Sequence, residues 1–328
     1  MRFSLPSKVT PRLLKIATLA LAAATAPGLL DARAQTTPPG SPDIGGVIIL
    51  TVGEASLPLI SFSAPTMEGE VAARRAMGAP KIGEATAVFN ISQADGLFAW
   101  VETVWNKQCV EKDTTVRLAD QVYNIKRGID MGACVFTGIE WPELKASDGK
   151  KHFEVTAKFQ PQTVRFIAGE GLATPPAPAP ADQILPENFT VTMAGIADEH
   201  IVSITLPKIT AKIAKESHGR AANRRAPSYK SVEYGTIKIE IGAAGQKSAE
   251  DLAIRILQDG NCEEGEFMDI LIDMKDQSLK KVLGTFTLIG CGLKKFDWAP
   301  KLEGGKEGLA TCTLEFMVED FRFAVAHK

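Results

Sequence analysis

Residues 134–166, CVFTGIEWPELKASDGKKHFEVTAKFQPQTVRF, decide the fold because the same pattern occurs twice in the chain. A shift of 157 positions aligns them without a gap to residues 291–323, CGLKKFDWAPKLEGGKEGLATCTLEFMVEDFRF. Six of the 33 positions are identical, and these include a cysteine, a tryptophan and an Arg-Phe pair. Apolar residues alternate in both 153–159 and 310–316, which is the period of a half-buried strand. The pattern therefore predicts an internal duplication.

The segments before this stretch have the same order in both copies. In the first copy, short strand-like segments over 47–62 precede a long polar excursion, a strand and a helix that begins at Asp95. Apolar residues recur in that helix at three- and four-residue spacing, which gives one apolar face. In the second copy the corresponding helix starts at 248 and ends at Gly260. We therefore expect a mainly β fold, with two tandem β-barrels or sandwiches that each carry one helix.

Composition shifts indicate where the domains begin and end. Residues 168–188 contain ATPPAPAPADQ, which has proline at alternating positions and too few apolar groups to pack, as in a semi-stiff linker. Residues 35–46 form a short polar, Pro-rich lead. The predicted β domains are therefore 47–167 and 189–328.

Residues 1–34 have the features of a secretory signal peptide. Four basic residues precede the Ala/Leu-rich run 16–30, and Ala32-Arg33-Ala34 provides an A-x-A cleavage site. The alternative is a membrane-anchoring helix, but the run is shorter than the ~20 residues that a span needs, and Pro27 interrupts it. We expect cleavage after Ala34, no stable membrane anchor, and a periplasmic or extracellular protein.

Charge argues against nucleic acid as a partner. The chain has 37 basic and 39 acidic residues. Residues 1–34 contain five of the basic and one of the acidic residues, so the remainder has 32 basic against 38 acidic residues and a formal charge of −6. An acidic balance does not favour a phosphate-binding surface.

Five cysteines in an exported chain raise the question of disulfide pairing. Cys109 and Cys262 both follow a predicted helix, and Cys134 and Cys291 occupy the same predicted strand position. The duplication therefore predicts one bridge in each copy, Cys109–Cys134 and Cys262–Cys291, while buried free thiols remain the alternative. Cys312 has no partner in this scheme and is expected to be a buried free thiol.

The sequence contains no recognisable catalytic, cofactor-binding or metal-binding motif. The four histidines form no H-x-H or H-x-x-x-H pair, and there is no G-x-S-x-G or phosphate-binding glycine loop. We therefore predict no enzyme, no cofactor and no metal. Trp141 and Trp298 could stack on a sugar, but matched tryptophans beside strands are more typical of packing anchors.

Each polar excursion carries an Arg-Arg pair. Arg74 and Arg75 stand just before Ala79-Pro80, as Arg224 and Arg225 stand just before Ala226-Pro227. These excursions are either solvated loops or contact arms, and arginine suits ion-paired interfaces. The four arginines are therefore candidate interface residues.

The order of these parts resembles the contractile-phage tail tube protein family and the related haemolysin-coregulated tube protein of type VI secretion. The closing pattern in residues 284–323, GTFTLIGCGLKKFDWAPKLEGGKEGLATCTLEFMVEDFRF, carries the resemblance best, and residues 132–166 carry it more weakly. The resemblance implies barrels joined into a ring by long loops and open strand edges. Six barrels would close the ring, so three duplicated chains would suffice.

Two functional hypotheses follow from different classes. The first is a secreted, non-enzymatic structural protein that self-assembles into a ring or tube as a homo-oligomer, with a trimer as the candidate state. The alternative is a monomeric periplasmic or cell-surface binding module with two β domains. Oligomeric state discriminates between them.

Overall fold

We determined the fold from a computed structural model of the chain. The structure describes residues 46–69, 71–72, 75–76, 80–146, 152–180, 182–214, 227–259, 267–298 and 311–326. Residues 1–34, on which the predicted signal peptide falls, lie outside the described residues.

The first half of the chain is mostly β-strand, with one helix. Its elements are β1 Val47–Val52, β2 Ala55–Ser63, β3 Met67–Glu68, β4 Val71–Ala72, β5 Arg75–Ala76, β6 Lys81–Ile82, β7 Ala85–Asn90, α1 Asp95–Trp105, β8 Lys112–Ala119, β9 Ile125–Glu140, β10 Leu144–Lys145, β11 Glu154–Gln160 and β12 Thr163–Ala168.

The elements of the second half are β13 Phe189–Thr192, β14 Ile201–Thr205, β15 Ile209–Ile213, β16 Tyr229–Tyr234, β17 Ile237–Ile241, α2 Gln246–Ala253, β18 Met268–Lys275, β19 Val282–Trp298, β20 Cys312–Met317 and β21 Asp320–Val325. The second half follows the same order, except that β15 and β16 stand in place of β3–β6 and that β10 has no counterpart among the described residues. A π-helical turn, Ile254–Gln258, continues α2.

The first half forms a closed barrel. Its strands pair in the order β11-β7-β2-β1-β8-β9, and β11 pairs with β9 to complete the circle. Alternate side chains point inward along each strand, so Ala85, Ala87 and Phe89 of β7 are fully buried while the residues between them are half-buried. The predicted mainly β, barrel-like fold is confirmed.

The second half repeats this order as β14-β17-β20-β19-β18-β13. It differs at one seam, because among the described residues no strand pairing joins β13 to β14, and the isolated bridge between Met193 and Ile196 lies in the connection between them. The second barrel is therefore open between β13 and β14, where β1 and β2 pair in the first.

The two halves agree in strand register as well as in order. Arg165 pairs with Asp130 and, 157 positions later, Arg322 pairs with Thr287. An irregularity between β8 and β9 recurs between β18 and β19, and it includes Ala133 (φ 49°) in the first half and Gly290 (φ 63°) in the second. Shared register and a shared bulge are hard to obtain without a shared origin, so the structure supports the internal duplication.

The helices cover equivalent positions of the two barrels. Four residues of α1 that face the core each have a buried equivalent in α2 or in the π-helical turn that continues it, at an offset of 152 positions. The pairs are Leu97 and Ala249, Trp100 and Leu252, Val101 and Ala253, and Val104 and Ile256. Two further residues of α1, Phe98 and Trp105, are also buried, whereas the corresponding Glu250 and Leu257 are not. The helix α1 therefore has a second buried apolar face, whose equivalent in the second half is not buried.

The segment predicted as a linker packs along the first half. Ala173, Ile184 and Leu185 are buried, and the Ile184 amide donates to Ser92 Oγ at 2.9 Å. Proline-rich composition therefore does not keep all of this segment away from the barrels.

Candidate assembly interface

The two halves join by exchanging strands. The hairpin β15–β16, which we call the second arm (residues 209–234), belongs to the second half but extends the sheet of the first. It pairs with β9 through Ile209 opposite Ile139 and Thr210 opposite Gly138. In return, β10 of the first half pairs with β14 of the second, with Leu144 opposite Ile204. The sheets therefore do not divide at the predicted linker.

Side chains fix the second arm to β9. Tyr229 donates a hydrogen bond from its hydroxyl to the Phe136 carbonyl at 2.8 Å. Burial raises the pKa of Tyr229 above its usual value, and the nearby Cys109 thiol adds to this effect. The phenol therefore stays protonated and remains a hydrogen-bond donor at neutral pH.

An ion-pair group lies beside the start of the arm. Glu140 of β9 accepts from Lys158 at 2.7 Å, and Lys208 of the second half lies 3.2 Å from the same carboxylate. The hydrogen bond from Lys158 is the main cause that lowers the pKa of Glu140, and Lys208 contributes further. These charges are partly exposed, so each pair adds little stability and mainly fixes register.

Aromatic rings form the apolar part of the junction. Trp141, just after β9, packs on second-half phenylalanines, with ring centroids 5.1 Å from Phe286, 5.7 Å from Phe321 and 5.8 Å from Phe323. Phe98 of α1 reaches the same group, 5.3 Å from Phe323. We call these five residues the aromatic junction, and they explain the second apolar face of α1.

The corresponding surface of the second half has no partner within the described chain. Trp298, which is equivalent to Trp141, is 59% exposed, so it does not act as a packing anchor within the chain as the sequence predicted. Ile254 and Leu257, on the outer side of the helical segment, are 47% and 46% exposed. Along 294–298, β19 pairs with β20 on one side and with no described strand on the other. The equivalent edge of β9 is the one that the second arm occupies.

One member of the first-half group that is equivalent to the phenylalanines is likewise uncovered. Phe166 is the counterpart of Phe323 and Ile129 the counterpart of Phe286 at the offset of 157. Phe166 is 58% exposed, whereas Phe323 is only 3% exposed. Both first-half residues line an apolar cavity of about 510 Å³, together with Ile48, Phe62, Val116 and Leu118.

The predicted Cys109–Cys134 bridge is not present in the structure, because both residues are free thiols. Cys134 points into the core and lies 3.1 Å from Thr114 Oγ1, whereas Cys109 lies at the end of α1 next to Tyr229. Cys291 is also a free, buried thiol, and Cys262, its predicted partner, lies outside the described residues. Cys312 is buried and free.

Burial raises the pKa of the cysteine thiols. The pKa of Cys134 rises to about 11 and that of Cys291 to about 12, in both cases mainly through desolvation. Desolvation also raises the pKa of Cys109 to about 11. These thiols are therefore protonated and poorly nucleophilic at neutral pH.

The predicted interface arginines lie mostly outside the described residues. Arg74, Arg224 and Arg225 are not among them, and Arg75 is described only as part of β5. Their role in an interface stays a prediction. Within the described ranges no cluster of histidine, cysteine and acidic side chains could hold a metal ion. None of the helices described here is both long and apolar enough to span a bilayer.

Comparison with known proteins gives structural matches only. No family model and no curated protein matches the sequence. Among solved structures, the cap that terminates the tube of the anti-feeding prophage is 15% identical, with a TM-score of 0.36, and covers 48% of this chain and 97% of its own. Hcp1 from Flavobacterium johnsoniae is 16% identical, with a TM-score of 0.29, and the match covers 39% of this chain and 99% of Hcp1. The sheath/tube terminator of the extracellular contractile injection system PVC is 15% identical, with a TM-score of 0.37, and the match covers 45% of this chain and 98% of the terminator chain. Tube and cap proteins of injection systems are thus among the structures similar to this chain.

Proposed function

We propose that this chain is an exported, non-enzymatic structural subunit that joins copies of itself head to tail into a closed ring. One observation supports this most directly. The second arm occupies the edge of β9, while the equivalent edge of β19, at 294–298, pairs with no described strand. Unpaired strand edges favour a further strand from another chain.

The internal junction has two different faces. One face consists of Trp141, Phe98 and the β9 edge, and the other consists of the second arm and the phenylalanines of β19 and β21. A junction between unlike faces is heterologous, and its repetition gives a ring when the rotation closes. Each chain has two barrel units, so three chains give a ring of six.

The sizing experiment is light scattering coupled to gel filtration on the protein without residues 1–34, at micromolar concentrations. The proposal expects a species with the mass of three chains. A single-chain mass over the whole range contradicts it. N-terminal sequencing of protein recovered from the periplasm tests export, with Gln35 expected as the first residue.

The polar excursions that carry the predicted interface arginines supply further contacts between chains in this proposal. Replacing Arg74, Arg75, Arg224 and Arg225 together by serine is expected to dissociate the assembly and leave the circular dichroism of the barrels unchanged. The fourfold replacement by lysine is the control, because it keeps the charge and removes the forked hydrogen bonding of arginine. Assembly that survives the serine replacement removes the arginines from the interface.

The monomeric binding module remains the second candidate. The cavity beside Phe166 favours it, since its volume of about 510 Å³ and its apolar lining are typical of small-molecule sites. A single-chain mass together with saturable binding of an apolar fluorescent probe, lost in Phe166→Glu, would support this candidate over the ring.

A further inference from the structure

We infer that the cavity beside Phe166 is the socket for Trp298 of a second copy of this chain. This inference rests on the proposed self-assembly and identifies the residues that carry it. The arrangement already exists once inside the chain, where Trp141 lies against Phe286 and Phe323.

The duplication defines each counterpart of that internal contact. At the offset of 157, Trp141 corresponds to Trp298, Phe286 to Ile129 and Phe323 to Phe166. The strand register confirms that these are equivalent positions, since Phe166 pairs with Ile129 as Phe323 pairs with Phe286. The chain therefore contains two tryptophan faces and two receiving faces. One pair is in contact within the chain, and the members of the other pair are apart.

Both separated faces are exposed apolar surfaces. Trp298 is 59% exposed and Phe166 is 58% exposed, and Phe166 lies at an apolar cavity, the kind of contiguous apolar surface that marks an interaction site. Exposed aromatic residues beside a concave apolar site are typical of interface anchors and their pockets. Ile254 and Leu257, on the helical segment of the second half, are also nearly half-exposed, 47% and 46%.

The flanking charges are compatible with the contact. Lys126 and Arg127 line the cavity, and Asp297 immediately precedes Trp298. In the internal junction the equivalent acid, Glu140, lies 3.2 Å from Lys208 of the opposite half. An acidic residue beside the tryptophan thus faces a basic residue in the observed contact. At the two free faces the charges again have opposite sign, and within one copy Asp297 pairs with Lys295 and Lys126 pairs with Asp120.

With the internal junction formed, Trp298 and Phe166 are both more than half exposed, so they do not meet within one copy. The occupant is therefore a second copy, whose first-half cavity is in turn open to a third.

The test uses one variant for each face. Phe166→Glu blocks the cavity and leaves Trp298 intact, whereas Trp298→Glu blocks the tryptophan and leaves the cavity intact. Both residues are exposed, so both variants are expected to fold. Each variant alone is expected to have a single-chain mass by light scattering, and an equimolar mixture is expected to contain a species of twice that mass. Only one junction can form in that mixture, between the intact Trp298 of one variant and the intact cavity of the other.

Two controls make the result specific. The double variant Phe166→Glu/Trp298→Glu is expected to remain a single chain when mixed with either single variant. Leu279→Asn changes an exposed apolar residue in the β18–β19 turn, 53% exposed, and is expected to assemble like the unchanged chain. The inference is overturned, and self-assembly kept, if the unchanged chain assembles while the two single variants assemble equally well or fail to combine when mixed. A single-chain mass for the unchanged chain overturns the proposed function and the inference together.

Discussion

Replacing Trp141 by alanine is expected to destabilise the contact between the two halves. The indole packs against Phe98, Phe286, Phe321 and Phe323, with ring centroids between 5.1 and 6.2 Å away. Truncation of a packed tryptophan costs about 3–5 kcal/mol, and because Trp141 is half-buried we expect the low end, about 3 kcal/mol. Each lost aromatic pair contributes roughly 0.5–1.5 kcal/mol beyond buried area, which is included in that figure.

The matched control is Trp298→Ala, since the duplication makes the two tryptophans equivalent and the structure leaves Trp298 59% exposed. An exposed substitution of this kind is expected to change stability by no more than about 0.5 kcal/mol. Urea unfolding is followed by far-ultraviolet circular dichroism at a concentration low enough for single chains. Equal losses for the two variants, or a loss below about 1 kcal/mol for Trp141→Ala, would refute the aromatic junction as the main contact between the halves.

Three further predictions test other parts of the molecule. Gly290→Ala is expected to destabilise the second barrel by roughly 1–2 kcal/mol, because φ is 63° there and a Cβ would lie 2.6 Å from a Glu319 carboxylate oxygen. The control is Ala133→Gly at the equivalent bulge, which is expected to cause no loss of stability. Thermal unfolding compares the two variants. Tyr229→Phe removes the hydroxyl that donates to the Phe136 carbonyl at 2.8 Å, so it is expected to lower the free energy of unfolding by about 1 kcal/mol. Hydrogen exchange of the second arm is expected to become faster, and more so than that of β1. Unchanged exchange in the second arm would contradict the role of this hydrogen bond. Burial raises the pKa of Cys134 to about 11 and that of Cys291 to about 12, so the contribution of these two thiols to stability is expected to be constant below about pH 8 and to fall from about pH 9 upward, as the unfolded chain loses thiol protons that the folded chain keeps. At pH 8 iodoacetamide is expected to label the two thiols only after urea is added, and rapid labelling of the folded protein, mapped by mass spectrometry, would contradict their burial.

The sequence was sufficient to predict the barrel fold and its duplication. Strand period and the matched Cys, Trp and Arg-Phe positions are local or nearly local signals, and the structure reproduces them as shared register. The offset of 157 even locates the equivalent bulge, although Ala133 gives no sign of its positive φ. The glycine at position 290 did not predict the bulge by itself, because glycine is equally compatible with an ordinary turn.

The exchange of strands between the halves was not predictable in the same way. Pairing of Ile209 with Ile139 depends on tertiary distance rather than on periodicity, and the second arm reads equally well as a solvated loop. One signal was present, because α1 has apolar Phe98 where α2 has Glu250. A wider apolar stripe on one of two equivalent helices indicates a second contact surface.

The predicted Cys109–Cys134 bridge is absent from the structure for a physical reason, while Cys262 of the other predicted bridge lies outside the described residues. Equivalent slots in the two copies indicated which cysteines correspond, but not that the members of each pair face one another. Cys134 points into the barrel core toward Thr114, while Cys109 lies outside the helix end against Tyr229. The duplication likewise equated Trp141 with Trp298 correctly, but it could not show that only one of them meets its partner within the chain.

The most direct measurement is a cryo-electron microscopy reconstruction of the assembled, unchanged protein. We predict a ring of six barrels in which the junction between chains superposes on the junction within a chain, with Trp298 against Phe166 as Trp141 lies against Phe323. A reconstruction in which Trp298 stays in solvent, or in which the contact between chains uses other faces, would contradict the account.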